Sequence, residues 1–110
     1  MLRYLAGIIG FLAIVPAALN PAAAADAAAG KTKAAKCTVC HGLDGLAKNP
    51  DAPNLAGDSA NYIRKQLGAY RSGERKDPQM SIMAKNLSDD DIADLAAWYS
   101  SLKVTVEMPK

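Results

Sequence analysis

Two cysteines and a histidine lie within five consecutive residues, Cys37-Thr38-Val39-Cys40-His41. This C-x-x-C-H pattern is the attachment signature of a covalently bound c-type haem. Two thiols three positions apart on one turn can each add to one vinyl group of the same porphyrin, and the adjacent imidazole then lies under the iron. The pattern therefore predicts one covalent haem c with His41 as its first axial ligand, and with it electron-transfer chemistry.

Three other kinds of site use cysteines at this spacing. A thioredoxin-like site needs a βαβ context, and no β-branched run lies close enough to supply its strands. A structural zinc site needs four nitrogen or sulfur ligands, but Cys37, Cys40 and His41 are the only Cys and His residues in the chain. A plain disulfide between the two cysteines stays open in an oxidising compartment, although it leaves the histidine without a role.

The first 25 residues are typical of a secretory signal peptide. Arg3 supplies the positive region, residues 5 to 15 the apolar region, and Ala23-Ala24-Ala25 an A-x-A cleavage site, so we expect cleavage before Asp26. An uncleaved anchor would need about 20 apolar residues. Three residues interrupt the run before that length is reached: Pro16, Asn20 and Pro21. The sequence thus predicts a periplasmic protein without stable membrane insertion.

Cleavage there would leave 85 of the 110 residues, 26 to 110, as one small domain. Domains of this size are marginally stable on burial alone, and a haem would add a large apolar surface to the core. We therefore expect the chain without haem to be largely unfolded. The mature part has twelve basic and eleven acidic side chains, which is too little basic excess for a nucleic-acid partner.

The apolar pattern predicts helices separated by loops. Asp26 is placed to cap a first helix over residues 27 to 38, which includes Gly30. Residues 42 to 57 are rich in Gly, Asp, Asn and Pro and predict a loop. A second helix is expected from Asp58 or Ser59 to about Gly73, since its apolar residues share one face. These are Tyr62, Ile63, Leu67 and Tyr70.

The last helix has the clearest start signal. Ser88 and Asp91 form an S-x-x-D pattern related to the capping box, and Leu87 can pack against Ile92. The buried stripe predicted for this helix consists of Ile92, Leu95, Ala96, Tyr99 and Leu102. Residues 104 to 108 alternate like a strand, but a strand without a partner is better described as an extended tail.

Together these segments resemble the class I c-type cytochromes, in particular the small bacterial monohaem type and one half of the dihaem periplasmic cytochromes. The resemblance rests on Gly30 seven residues before Cys37, C-x-x-C-H-G at 37 to 42, Pro53-Asn54-Leu55-Ala56-Gly57, the helix from 62 to 71, and Met80-Ser81-Ile82-Met83. It spans residues 26 to 102. It implies an all-α fold with three to four helices around one covalently bound haem.

The resemblance also implies particular contacts. The first and last helices cross, with Gly30 meeting Trp98 or Tyr99. The carbonyl of Pro53 accepts the other ring N–H of His41, which fixes the orientation of the imidazole. Tyr62, Ile63, Leu67 and Leu87 are candidates for the walls of the haem pocket.

The sixth ligand is expected to be a methionine, because His/Met ligation is common in cytochromes c and raises the reduction potential. Met80 and Met83 are the candidates, since Met1 would leave with the signal peptide and Met108 lies in the tail. Met80 takes the position of the ligand in the N-terminal half of the dihaem relatives. Met83 would then serve as a flexible apolar filler.

These features predict a periplasmic one-electron carrier rather than an enzyme. An enzyme with an open iron site would need a distal acid or base, and the chain has no second histidine. The alternative is a haem subunit of a larger dehydrogenase, docked through the tail. Expected partners are a donor dehydrogenase or cytochrome and an acceptor oxidase or reductase. Contact through Val39, Ile82 and Met83 would depend weakly on ionic strength if the small net charge decides it.

Overall fold

The computed structural model describes residues 24 to 110. The signal peptide predicted over residues 1 to 25 therefore lies outside the described residues, except for Ala24 and Ala25, which are exposed. Every regular element between residues 24 and 110 is a helix, in agreement with the predicted all-α class. Within this range, the helices are all too short or too polar to cross a bilayer.

The N-terminal helical segment is longer than predicted and changes its geometry. Helix α1 spans Ala27–Lys33, a 3-10 turn follows over Ala34–Cys37, and helix α2 spans Thr38–His41. Asp26 caps α1 as predicted, because its side chain accepts a hydrogen bond from the Ala28 N–H at 2.8 Å. The expected single helix to residue 38 is instead three short pieces that end at His41.

Helix α3 spans Ala60–Ser72. Its N-cap is Ser59, whose hydroxyl accepts a hydrogen bond from the Tyr62 N–H at 3.1 Å, and it ends at Gly73. Both ends agree with the prediction. A short helix α4, which the sequence pattern did not indicate, spans Met80–Ala84.

Helix α5 spans Asp89–Ser101 and begins with the predicted capping box. The Ser88 hydroxyl accepts a hydrogen bond from the Asp91 N–H, and the Asp91 carboxylate accepts one from the Ser88 N–H, both at 3.0 Å. Four residues of the predicted stripe are buried, and Leu102 is partly buried at the end of the helix. The stripe therefore faces the core as expected.

Helices α1 and α5 cross at Gly30, where their backbones are in contact. A Cβ atom added to Gly30 would lie 1.9 Å from the Asp94 carbonyl oxygen and 2.9 Å from the Trp98 Cβ. No side chain larger than hydrogen fits at this distance, so glycine is required for the close approach. The predicted crossing is confirmed, and Trp98 rather than Tyr99 is the aromatic residue at Gly30.

The core is small and draws on the 3-10 turn, α3, α4, α5 and the loop before α5. Its buried apolar residues are Ala34, Ile63, Ala84, Leu87, Ile92, Leu95, Ala96 and Tyr99. The tail after α5 has no regular structure and is exposed, as predicted. In this tail, a methyl group of Val104 lies close to Gly57. So few large buried side chains agree with the expectation that a haem is needed to complete the core.

Candidate functional site

The two cysteines lie where the 3-10 turn passes into α2. Both are half-buried, and neither takes part in a disulfide. Burial raises the pKa of the Cys37 thiol, and the charge of nearby Lys36 opposes that shift. The thiols are thus free to form covalent bonds with another group.

His41, the last residue of α2, is buried and held in one orientation. Its side chain is 7% exposed, and its Nδ1 lies 2.9 Å from the carbonyl oxygen of Pro53. A carbonyl can only accept a hydrogen bond, so Nδ1 carries the proton and donates it. In the neutral imidazole the other nitrogen, Nε2, therefore has a free lone pair, which is the form that binds a metal. The contact predicted between His41 and Pro53 is present.

The loop after His41 brings Pro53 back over the imidazole. Gly42 begins the reversal with a φ of +73°, a conformation that favours glycine. The Cys40 carbonyl oxygen then accepts hydrogen bonds from the N–H groups of Lys48, at 2.8 Å, and Asn49, at 3.3 Å. These backbone hydrogen bonds close the loop against α2 and so help to position Pro53 over the imidazole.

Two aromatic side chains of α5 hold the backbone that follows His41. The buried Tyr99 hydroxyl donates a hydrogen bond to the Gly42 carbonyl oxygen at 3.2 Å, and the Trp98 Nε1 donates one to the Leu43 carbonyl oxygen at 3.0 Å. Burial raises the pKa of Tyr99. Sequence reasoning assigned Tyr99 to the buried stripe, and Trp98 or Tyr99 to the helix crossing, but neither to this second role. The signal for it was the polar group on each ring, since such groups usually find a hydrogen-bond partner when the ring packs against a core.

Met80 is the first residue of α4, and its backbone is anchored by Asp77. The Asp77 carboxylate accepts hydrogen bonds from the N–H groups of Met80, at 2.8 Å, and Gln79, at 2.9 Å. These bonds hold the pKa of Asp77 below its ordinary value. The Asp77 N–H donates in turn to the Ser81 hydroxyl at 3.0 Å. Sequence reasoning missed Asp77, although an Asp in a loop commonly accepts hydrogen bonds from the backbone two residues further on.

The candidate pocket residues differ in exposure. Ile63 is buried, Leu67 packs against the core, and Leu87 is buried beside it. Tyr62 is 51% exposed, so half of its surface lies outside the core that the other three share. Its assignment to the pocket stays a prediction.

The residues present fit a covalently attached haem. Two unpaired thiols precede a buried histidine whose Nε2 lone pair is free, and several large apolar side chains of the described residues are not covered by the protein core. They include Val39, Leu46, Tyr62, Ile82 and Met83, at 80%, 49%, 51%, 72% and 38% exposed. A haem supplies the apolar surface that such a group of side chains lacks.

Residues 27 to 103 match the family model described as cytochrome c. This chain belongs to the cytochrome c family. It has the all-α fold of the class I type and carries one haem c, bound covalently through the C-x-x-C-H motif. The match covers all five helices, so the family assignment rests on the whole described domain rather than on the motif alone.

Three known proteins are similar to this cytochrome over most of its length. It is 52% identical to cytochrome c-554(548) of Halomonas halodenitrificans over 81 residues, which are 71% of this chain and 98% of that protein. The structure of reduced cytochrome c4 from Pseudomonas stutzeri matches with a TM-score of 0.69 at 41% identity, over 76% of this chain and 48% of that one. The thiosulfate dehydrogenase electron acceptor of Thiomonas intermedia is 44% identical over 78% of this chain.

The lengths of these relatives differ. This cytochrome spans nearly all of the Halomonas protein, but only about half of cytochrome c4 and 40% of the electron acceptor. It therefore resembles a complete small cytochrome and also one part of larger ones. The class I resemblance, including the likeness to part of a larger cytochrome, is confirmed.

Proposed function

We propose that this cytochrome is an exported one-electron carrier in which Cys37 and Cys40 hold the haem and His41 and Met80 are the axial ligands. When bound, the haem iron supplies the redox chemistry by alternating between its ferric and ferrous states. The observation that carries the proposal is the bond between His41 Nδ1 and the Pro53 carbonyl. It leaves Nε2 as the metal-binding nitrogen and raises its basicity.

Met80 is favoured over Met83 by how its backbone is held. A ligand must keep its position in both oxidation states, and Asp77 fixes the Met80 N–H at 2.8 Å. Met80 is half-buried, whereas Met83 is 38% exposed and lies one turn further along α4.

The apolar side chains of α3 are assigned to the wall of the haem pocket, not to the iron. Ile63 and Leu67, with Tyr62 beside them, exclude water from one side of the site and join it to the core. An apolar, water-poor surrounding raises the reduction potential, as the thioether ligand also does. We therefore assign a relatively high potential to this carrier.

Export is part of the same proposal. Residues 1 to 25 act as a signal peptide, and residues 26 to 110 form the mature periplasmic domain. The cap at Asp26 supports this boundary, because α1 and its hydrogen bonds begin there.

Electron exchange needs a contact surface, and we assign it to those parts of Val39, Ile82 and Met83 that the haem leaves uncovered. The charge is unevenly distributed along the chain. Residues 60 to 87, which include α3 and α4, carry six basic and two acidic side chains, whereas α5 carries four aspartates and no basic residue. The small net charge of the chain does not show that basic and acidic side chains are concentrated in different segments. The partner that fits the surface at Ile82 is a protein with an acidic docking face.

Small redox probes of opposite charge test this assignment. We expect the oxidation rate of the reduced protein by the hexacyanoferrate(III) anion to fall as salt is added, because salt screens attraction between unlike charges. A cationic cobalt complex should show the opposite trend. Lys85→Gln should weaken both trends, and Lys103→Gln, in the exposed tail, should leave them unchanged. Rates insensitive to salt with both probes would contradict the proposed basic face and favour the weak dependence expected from net charge.

The carrier role is tested by redox titration and ligand binding on the holoprotein. A carrier with both axial positions filled should titrate reversibly with one electron, and neither cyanide nor carbon monoxide should bind readily. An enzyme with an open iron site would bind them at once and would turn over peroxide. Rapid ligand binding by the wild-type protein would overturn the proposal.

A second function is favoured by one comparison. The Thiomonas relative is a thiosulfate dehydrogenase electron acceptor, so this cytochrome is also a candidate acceptor for a periplasmic dehydrogenase. Isolation of the mature holoprotein from its native periplasm, with spectra of the bound fraction, distinguishes the two. A stoichiometric dehydrogenase partner would favour the subunit, and a monomeric cytochrome would favour the free carrier.

A further inference from the structure

The backbone nitrogen of Asp26 lies against α5. It donates a hydrogen bond to Asp94 Oδ1 at 2.8 Å, across 68 residues of sequence. The second oxygen of the same carboxylate, Oδ2, binds Lys33 Nζ at 2.7 Å. The Asp94 side chain is 13% exposed, whereas Asp26 itself is exposed.

Cleavage of the signal peptide before Asp26 would change the charge on this nitrogen. We propose that the α-amino group released at Asp26 by signal-peptide cleavage forms an ion pair with Asp94 and fastens the mature N terminus to α5. The inference rests on the proposed export. Hydrolysis by a signal peptidase adds water across the Ala25–Asp26 peptide bond, which leaves a carboxylate on Ala25 and an ammonium group on Asp26.

The bond to be cleaved is accessible, since Ala24 and Ala25 are exposed and lie outside α1. Before cleavage the nitrogen belongs to a neutral amide. After cleavage the same atom carries a positive charge, so the hydrogen bond to the carboxylate gains the attraction between two opposite charges. Cleavage thus strengthens a contact that the structure shows between the neutral amide and Asp94.

The charged groups around the new ammonium act in opposite directions. Asp94, Asp91 and the Asp26 carboxylate favour the protonated form. Lys33 and the positive end of the α1 dipole disfavour it. Asp94 decides the balance, because it is in direct contact at 2.8 Å. Without it, an ammonium group at a helix N terminus would be unfavourable.

The ion pair with Asp94 makes the stability of the mature protein depend on pH. An α-amino group ordinarily has a pKa of about 7.7 to 8.0, and the pair with Asp94 raises that value in the folded state. Its contribution to stability is fully present below the ordinary value and is lost as the pH rises through the raised one. The mature protein should therefore lose thermal stability over this alkaline range.

The test compares two holoproteins, one that begins at Asp26 and one with an additional glycine before it. NMR titration of the α-amino group should give a pKa about one unit above the ordinary value in the first, which is about tenfold tighter proton binding, and an ordinary value in the second. Asp94→Asn should abolish the shift, and Asp90→Asn, on the exposed side of the same helix, should keep it.

Equal α-amino pKa values in the two chains would overturn the proposal, even if Asp94→Asn fails to fold. The mass of the protein exported by its own signal peptide tests cleavage separately. A chain that begins at another residue would overturn the export boundary, while the pH titration still reports on the pair with Asp94.

Discussion

Replacement of Gly30 by alanine tests the crossing of α1 and α5, because it adds one atom where the two helices touch. The new Cβ would lie 1.9 Å from the Asp94 carbonyl oxygen and 2.6 Å from its carbon. Both are backbone atoms, so no side chain can rotate away. The crossing must open by about 1.5 Å to reach the 3.4 Å of ordinary contact.

Two opposing effects set the change in the free energy of unfolding caused by Gly30→Ala. Alanine favours the helix by up to about 1 kcal/mol over glycine, whereas forcing an extra atom into a packed contact costs about 1 to 3 kcal/mol and sometimes more. The backbone clash places Gly30→Ala at the upper end, so we expect a net loss of about 2 kcal/mol. In a domain of this size that lowers Tm by about 10 °C.

Gly68→Ala is the matched control. Gly68 lies inside α3, and nothing would come within 4 Å of a Cβ added there. It should therefore show the helix propensity alone, a gain of up to about 1 kcal/mol. Guanidinium unfolding of both holoproteins, followed by far-UV circular dichroism, measures the difference. If Gly30→Ala is as stable as the wild type, or gains stability like Gly68→Ala, the close crossing is wrong.

Three further outcomes follow from hydrogen bonds and charges. Tyr99→Phe leaves the Gly42 carbonyl without its donor and should lower the free energy of unfolding by about 1 kcal/mol. Ser88→Ala removes the cap of α5 and should cost about 1 kcal/mol. Lys33 and the Ser88 N–H hold the pKa of Asp91 at about 2, so its contribution is present above the ordinary value of 3.8 and is lost as the pH falls through about 2. The Tm of Asp91→Asn should fall less than that of the wild type between those values.

The sequence predicted those features whose cause is local. The capping box of Ser88 and Asp91, the cap at Ser59 and the end of α3 at Gly73 each depend on residues within a few positions, and all three are confirmed. Site chemistry was predictable for the same reason, since Cys37, Cys40 and His41 are adjacent.

The remaining contacts depend on residues far apart in the chain. The pairing of Asp94 with Lys33 and with the Asp26 nitrogen spans 61 and 68 residues, and the bond from Tyr99 to Gly42 spans 57. No local pattern specifies such partners. The change to 3-10 geometry after Lys33 and the half-exposed position of Tyr62 were likewise not predictable, because both depend on how the helices pack.

The central claim, a haem held between His41 and Met80, is tested most directly by the visible and near-infrared spectrum of the ferric protein in two variants. Met80→Ala should abolish the charge-transfer band between the methionine sulfur and ferric iron, lower the reduction potential and allow exogenous ligands to bind. Met83→Ala should retain the band and the potential. Loss of the band only in Met83→Ala would move the ligand to Met83, and a band unchanged in both variants would contradict methionine ligation by either residue.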